Sequence, residues 1–247
     1  MMRKSREKKI VGIIQARMGA SRLPGKMMLE LRGSPIVEWV YRRASRSRLL
    51  GELVVAVPDT QDNDTLESFL SGMGAKVFRG SETDVVKRFY DAAVKYGATD
   101  IVRICADNPL ISPRQIDVLI EYFTEHPCDY AYNHIPKNNT FPDGLGAEIV
   151  PFAVLERIDR EAHAPSQREH VFNYIWDNPE KFTIKTFDPA DQSIARPDLK
   201  LDIDTMEDYT RLQQSKIWID MNDREIMNVI ASPLKAGEAI SKGTLSS

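Results

Sequence analysis

The chain has 247 residues, 42% hydrophobic and 28% charged, with 33 Lys and Arg set against 36 Asp and Glu. This is the composition of a soluble α/β domain, and a formal net charge of −3 gives no overall attraction to nucleic acid or to a membrane surface. No run approaches the ~20 apolar residues of a membrane helix, and Cys105 and Cys128 form neither a metal spacing nor a disulfide framework, which suits a reducing, cytoplasmic setting.

The opening residues 1–8 are charged and are expected to be a loose tail without a signal-peptide core. IVGII (10–14) reads as a continuous apolar strand, buried on both faces of a parallel sheet. The loop QARMGASRLPGK (15–26) follows it. Ser34 and Pro35 predict an N-cap and first turn, with Ile36, Val37, Val40, Tyr41 and Ala44 at helical spacing. LVVAV (53–57) predicts a second strand, with a helix from about Leu66 after it. KVFRG (76–80) predicts a third, and Ser81 with Asp84 resembles a capping box for a helix through Lys95. DIVRIC (100–105) is the fourth strand, and Ser112-Pro113 starts the next helix.

After Tyr130 the rhythm changes. YAYN, GAEIV, KFTIKTF and LKLDI predict short β segments of a mixed, partly antiparallel half, with helices from Met206 to about Lys216 and from Asp223 to Ala231. The expectation is one α/β domain over 9–232: a mostly parallel mixed sheet, helices on both faces, and a small β-rich lobe at about 130–185. Residues 233–247 are expected to fray.

Ligands of such sheets sit beyond the carboxyl ends of the strands, which is where the basic loop and Asp107 fall. No acidic residue occurs from Lys8 to Leu29. Arg17, Arg22 and Lys26 are interleaved with Gly19, Ser21, Pro24 and Gly25, which permit close backbone approach and an unusual turn. A solvated basic connection is the plain alternative, but this mix suits a polyphosphate cradle. Five residues separate Gly19 from Gly25 and Met27 follows Lys26, so the loop is not a Walker A motif, nor is it GxGxxG.

QARMGASRLPGK resembles the signature loop of the cytidylyltransferases that activate sugar acids, such as the CMP-3-deoxy-manno-octulosonate and CMP-sialate synthetases. The spore-coat polysaccharide cytidylyltransferase-like branch is the most similar. The resemblance continues in order through VFRGSETDVVKRFYDAA, VRICADNPLI, FPDGLGAEI, QREHVFNYI and LDIDTMEDY, over roughly residues 9–212. It implies a nucleotide-diphospho-sugar transferase fold. It also implies transfer of CMP from CTP to a sugar acid with release of pyrophosphate, a Mg²⁺ requirement and, commonly, a homodimer.

Mg²⁺ in nucleotidyl transfer is held by one or two carboxylates plus phosphate oxygens. Asp107 in ADNPL and Asp204 in LDID are the candidates, with Asp202 beside Asp204 on the same face of an expected strand. Asp107 could instead serve a turn before Pro109, and Asp204 could cap the helix that follows, with Glu207 three residues on. In the family the resemblance names, the aspartate opening D-T-P-E-D is a metal ligand, matching Asp204; Met206 stands here where proline is usual.

Arg17 and Lys26 are expected on the triphosphate with Arg22, Ser21 and Gly19 assisting, and the resemblance puts backbone near Gln15 and Ala16 beside the nucleoside. Arg79 and Arg103 are further nucleotide candidates; the alternative for each is an ion pair with Glu82, Asp84 or Asp107. Asn133, Asp143, Gly144 and Glu148 resemble the acceptor-side loop, although Asp143-Gly144 is also a turn signal. Arg168 could clamp an acceptor carboxylate or simply belong to a charged helix start, and His170 stands near it. His126, His134 and His163 have no zinc spacing. Use of another nucleotide or a phosphonate acceptor, a nucleotide-sugar-dependent glycosyltransferase, and a catalytically dead binding protein are the competing readings.

Overall fold

In a computed structural model describing residues 8–19 and 22–231, the apolar runs become neighbouring strands of one seven-stranded sheet. Strands β1 (Ile10–Gln15), β4 (Glu52–Pro58), β5 (Lys76–Gly80) and β6 (Asp100–Cys105) are its parallel half. Strands β7 (Tyr130–Tyr132), β8 (Glu148–Pro151) and β9 (Ile184–Lys185) complete it. The order is β5-β4-β1-β6-β8-β7-β9, and β8 runs antiparallel to both β6 and β7. A separate hairpin pairs β2 (Glu30–Leu31) with β3 (Ser34–Pro35).

Alternation along each strand divides the core in two. Ile14, Val55, Val57, Val102 and Ile104 face α1 (Ile36–Ala44), α2 (Asp64–Gly72) and α4 (Pro113–Glu125), with α8 (Met206–Gln214) and α9 (Asp223–Ala231) on the same side. Val11, Ile13, Val54, Ala56 and Ile101 face α3 (Val85–Tyr96), α5 (Phe152–Glu161) and α7 (Asn173–Asp177). The short α6 (Pro165–Glu169) packs near α3. Both faces of the central strands are therefore covered, as their unbroken apolar character requires.

β4 lies on one side of β1 and β6 on the other. That reversal of strand order at β1, with all three strands parallel, opens a crevice beyond the carboxyl ends of β1 and β6, the place where such sheets take ligands.

Several local expectations are corrected. Ser34 is not a helix cap: it pairs with Leu31 in the hairpin, and α1 begins at Ile36 without a side-chain cap. The cap of α3 is Asp84, whose carboxylate accepts from the Lys87 N–H, while Ser81 Oγ accepts from the Asp84 N–H. LKLDI is not a strand, because it makes only a single bridge, Lys200 with Asp143. The α8 cap is Thr205, in a capping box with Asp208, so Asp204 is not needed for capping. Ser112 does cap α4, accepting from the Gln115 N–H. Ser21, residues 1–7 of the expected tail and residues 233–247 lie outside the described residues.

Candidate nucleotide site

The basic loop is held in shape from beneath. The Met18 N–H donates to Asn63 Oδ1 at 2.9 Å, and the Gly25 N–H returns to the Met18 carbonyl at 3.2 Å. Asn63 is fully buried, its Nδ2 donating to Thr60 Oγ1 and Asp62 Oδ1. Leu23 and Met27 are buried as apolar anchors. Gly25 takes φ +68°, in the left-handed region, and so turns the chain into the 3₁₀ segment Lys26–Met28. Gly19 is exposed at the outer part of the loop. Asn63→Ala leaves the half-buried Met18 N–H without its partner, a cost of about 1 kcal/mol. The variant should melt earlier and bind nucleotide more weakly; a wild-type melting curve and CTP titration together would remove Asn63 from this role.

Lys26 carries the loop's charge inward. It is only 8% exposed, and its Nζ donates to the Ile203 carbonyl at 2.7 Å and to Asp107 Oδ2 at 3.2 Å. Asp204 Oδ1 lies 3.6 Å from the same nitrogen and 3.2 Å from Arg22 Nη2. Asp107 and Asp204, 97 residues apart in sequence, thus meet across one ammonium group. The Ile203 N–H donating to the Asp107 carbonyl at 2.8 Å fastens the two segments together. Arg17 lies on the opposite rim, with Nη2 at 3.5 Å from Glu169 Oε1.

These groups bound a cleft of ≈240 Å³, lined by Gln15, Arg17, Arg22, Leu23, Lys26, Met27, Arg103, Cys105, Ala106, Asp107, His170 and Asp204. Cys105 is no nucleophile here, since burial pushes its thiol up to about 12. A larger hollow of ≈570 Å³ lies elsewhere, between α1, the start of α4 and α9, and none of the candidate residues line it.

Several expected residues are not brought to the cleft. Arg79 is engaged by Asp64 and Glu67 of α2 and by the Thr60 carbonyl, so the ion-pair alternative describes it, though with different partners. Arg168 holds Asp84 bidentately (2.9 and 2.7 Å) and also Asp159 at 2.8 Å, clasping α6 to α3 and α5. Asn133 is fully buried and bonds to the Ala147 N–H and the Gln115 carbonyl. Gly144, at φ +85°, packs where a Cβ would lie 2.8 Å from the Asp202 nitrogen.

Arg103 lies between cleft and core. Its Nε donates to Gln15 Oε1 at 3.3 Å and its Nη1 to Glu148, which also accepts from the Tyr130 hydroxyl and has His134 Nε2 at 3.5 Å. Burial alone would raise the Glu148 pKa, but the charges of His134 and Arg103 and the Tyr130 hydroxyl bring it below the usual carboxylate value. Glu148 is thus the counter-ion of Arg103 rather than a group open to the cleft.

Two contributors escaped the sequence reading. Asn63 has no signal that separates it from a capping residue. Lys200 had one: it shares parity with Asp202 and Asp204, and its Nζ is 2.7 Å from Asp208, 3.4 Å from Asp202 and 3.9 Å from Asp204. Asp202 is mostly buried, its Oδ1 without a hydrogen bond, and burial with the nearby Asp143 charge pushes it up to about 6. Asp143 is itself raised, mainly by burial.

Comparison with known proteins places this geometry. The cytidylyltransferase family model matches residues 11–235. The spore coat polysaccharide biosynthesis protein SpsF of Bacillus subtilis is 33% identical over 83% of this chain and 85% of its own. A 3-deoxy-manno-octulosonate cytidylyltransferase of Geobacter sulfurreducens is 38% identical over 57% of this chain and 56% of its own. Among solved structures, a cytidylyltransferase from Leptospira borgpetersenii superposes with TM-score 0.82 at 31% identity, covering 91% of this chain and 94% of that one. With a cationic loop, two convergent carboxylates and a family match spanning nearly all the described residues, the chain belongs to the cytidylyltransferases, enzymes that use CTP as the nucleotidyl donor.

Proposed function

We propose that this enzyme transfers CMP from CTP to a sugar acid related to 3-deoxy-octulosonate or sialic acid, releasing pyrophosphate, in the synthesis of cell-surface polysaccharide. The observation that carries the reading is the meeting of Lys26, Asp107 and Asp204 at the mouth of a cleft whose other walls hold Arg17 and Arg22. Three cations suit a triphosphate, and two carboxylates suit a hard cation that takes its remaining ligands from phosphate oxygens and water.

Among the described residues no three His, Cys, Asp or Glu side chains form a complete metal cage. The pair Asp107 and Asp204 fits Mg²⁺, which usually needs only one or two protein carboxylates when a phosphate is bound. When bound, Mg²⁺ would neutralise charge on the α-phosphate and orient it. Arg17, Arg22 and Lys26 hold the triphosphate, with backbone at Gln15 and Ala16 against the nucleoside. An acceptor hydroxyl attacks the α-phosphorus in line with the departing pyrophosphate. No covalent enzyme intermediate is needed; positioning and charge stabilisation carry the rate. The loop from Asn133 to Glu148, which follows β7, is assigned to the acceptor, and the name of a relative, a 3-deoxy-manno-octulosonate cytidylyltransferase, supports a sugar acid as that substrate.

Pyrophosphate release with Mg²⁺, comparing CTP, UTP, ATP and GTP against a panel of sugar acids, tests the reading. Release with CTP and a particular acid is expected. Turnover with a different nucleotide, or with a non-sugar acceptor only, would replace it.

A further inference from the structure

Outside the cleft lining, one buried cation is left incompletely paired. Arg88 of α3 is fully buried. Its Nη1 donates to the Ser81 and Glu82 carbonyls, while Nε and Nη2 have no hydrogen-bond partner among the described residues. Buried donors are nearly always satisfied, and an exception calls for a reason. Burial, with the charge of Arg17 nearby, pushes the Arg88 pKa down to about 10. Opposing charge is close but not bonded to it: Asp84 is taken by Arg168 and by the α3 cap, and neither Asp59 nor Glu82 bonds to it through a carboxylate.

The position is on the nucleotide side of the molecule. The Arg88 side chain runs past the end of β5, where a Cβ on Gly80 would lie 3.0 Å from its Cγ. The Gly80 carbonyl accepts from Asp59 just after β4, the strand beside β1. The turn from Ser81 to Asp84 is also wired to the cleft. Asp84 holds Arg168, and the adjacent Glu169 meets Arg17.

Nε and Nη2 lie on one edge of a guanidinium, so the two unpaired donors make one complete bidentate fork. A fork needs two acceptors side by side. Cytosine offers O2 and N3 in that arrangement, whereas uracil carries N–H at position 3 and would oppose a donor with a donor. We propose that Arg88 reads the O2/N3 edge of the cytosine base, which reaches it when the Ser81–Asp84 turn moves aside. The assignment rests on CTP being the donor nucleotide, and it gives that preference a physical origin.

The test is equilibrium binding of Mg·CTP and Mg·UTP to the unaltered enzyme and to Arg88→Lys and Arg88→Gln, each variant checked by thermal melting. A good bidentate contact corresponds to about tenfold discrimination or more. The unaltered enzyme should prefer CTP by that factor, and both variants should lose CTP affinity while UTP binding stays the same. Equal weakening of both nucleotides would overturn the proposal in favour of a phosphate contact, and unchanged binding would overturn it outright. Should the variants not fold, 3-deaza-CTP decides with the unaltered protein. Binding about tenfold weaker than CTP supports the fork, and equal binding overturns it. Failure of the unaltered enzyme to bind CTP would overturn the donor reading itself, a separate and recognisable result.

Discussion

Asp204→Asn lowers CTP-dependent pyrophosphate release by about 10²–10³-fold, the scale expected when one preorganised electrostatic partner is removed from a transition state, while leaving the melting temperature nearly unchanged. The two halves of that expectation come from the same local geometry. Asp204 points at Lys26 and Arg22, so its charge belongs to the cleft. It does not cap α8, which is capped by Thr205 with Asp208. Thr205→Ala should show the converse: a loss of about 1 kcal/mol in stability with a rate much closer to that of the unaltered enzyme. Asp107→Ala should resemble Asp204→Asn in rate. Measuring rate and melting for all three variants separates catalysis from capping. A rate loss in Asp204→Asn that merely follows a loss of folded protein would sink the assignment.

Glu148→Ala should destabilise the protein by about 3–5 kcal/mol, the cost of breaking a buried pair and stranding its partner. Glu148 is 2% exposed, and its removal leaves the Arg103 guanidinium and the Tyr130 hydroxyl without their shared acceptor. At about 2–4 °C per kcal/mol for a chain of this size, melting should fall by roughly 6–20 °C. A pH signature accompanies it. Glu148 has a folded pKa below the unfolded value, so its contribution is complete above the ordinary glutamate pKa and is lost as pH falls through the lowered one. His134, whose pKa burial lowers, adds to acid sensitivity from about pH 6.5 downward, where the unfolded chain takes up a proton that the folded chain resists. Denaturant melts between about pH 5 and pH 2, the range in which the ordinary and the lowered glutamate are protonated, should show a shallower acid decline in Glu148→Ala. Equal slopes would mean that the pair contributes nothing to pH dependence.

The parallel half of the sheet was legible because β1, β4 and β6 must bury both faces, which leaves uninterrupted apolar runs in the sequence. Ser112 was legible as a cap because Pro113 follows it. Ser34 offered the same Ser-Pro pair and was misleading, since β-pairing with Leu31 claimed its backbone first. Thr205 and Asp204 both precede α8, and sequence alone does not choose between adjacent caps.

In the cleft, residues on short connections after strands were readable, because strand ends fix where such loops go. Cations were not. Arg79, Arg103 and Arg168 each met a carboxylate 12 or more residues away, and nothing local in a sequence reveals which acid folding will deliver. Arg88 was passed over for a related reason. On a helix it counts as a surface charge until packing shows that it is enclosed.

The loop after β7 has its two ends joined. The Asn133 N–H donates to the Ala147 carbonyl at 3.1 Å, and the Ala147 N–H returns to Asn133 Oδ1 at 2.9 Å. A segment clasped at its base behaves as a cassette: its interior can vary in length and chemistry while the sheet beneath feels little change. The groups around Lys26 are drawn from other connections, those following β1 and β6 and the one preceding α8. Variation can therefore concentrate in residues 135–142, while Asp143 and Gly144, which pair with and pack on the segment leading to Asp204, are inherited with the Lys26 group. Exchanging residues 135–142 between relatives is the smallest graft that respects this division.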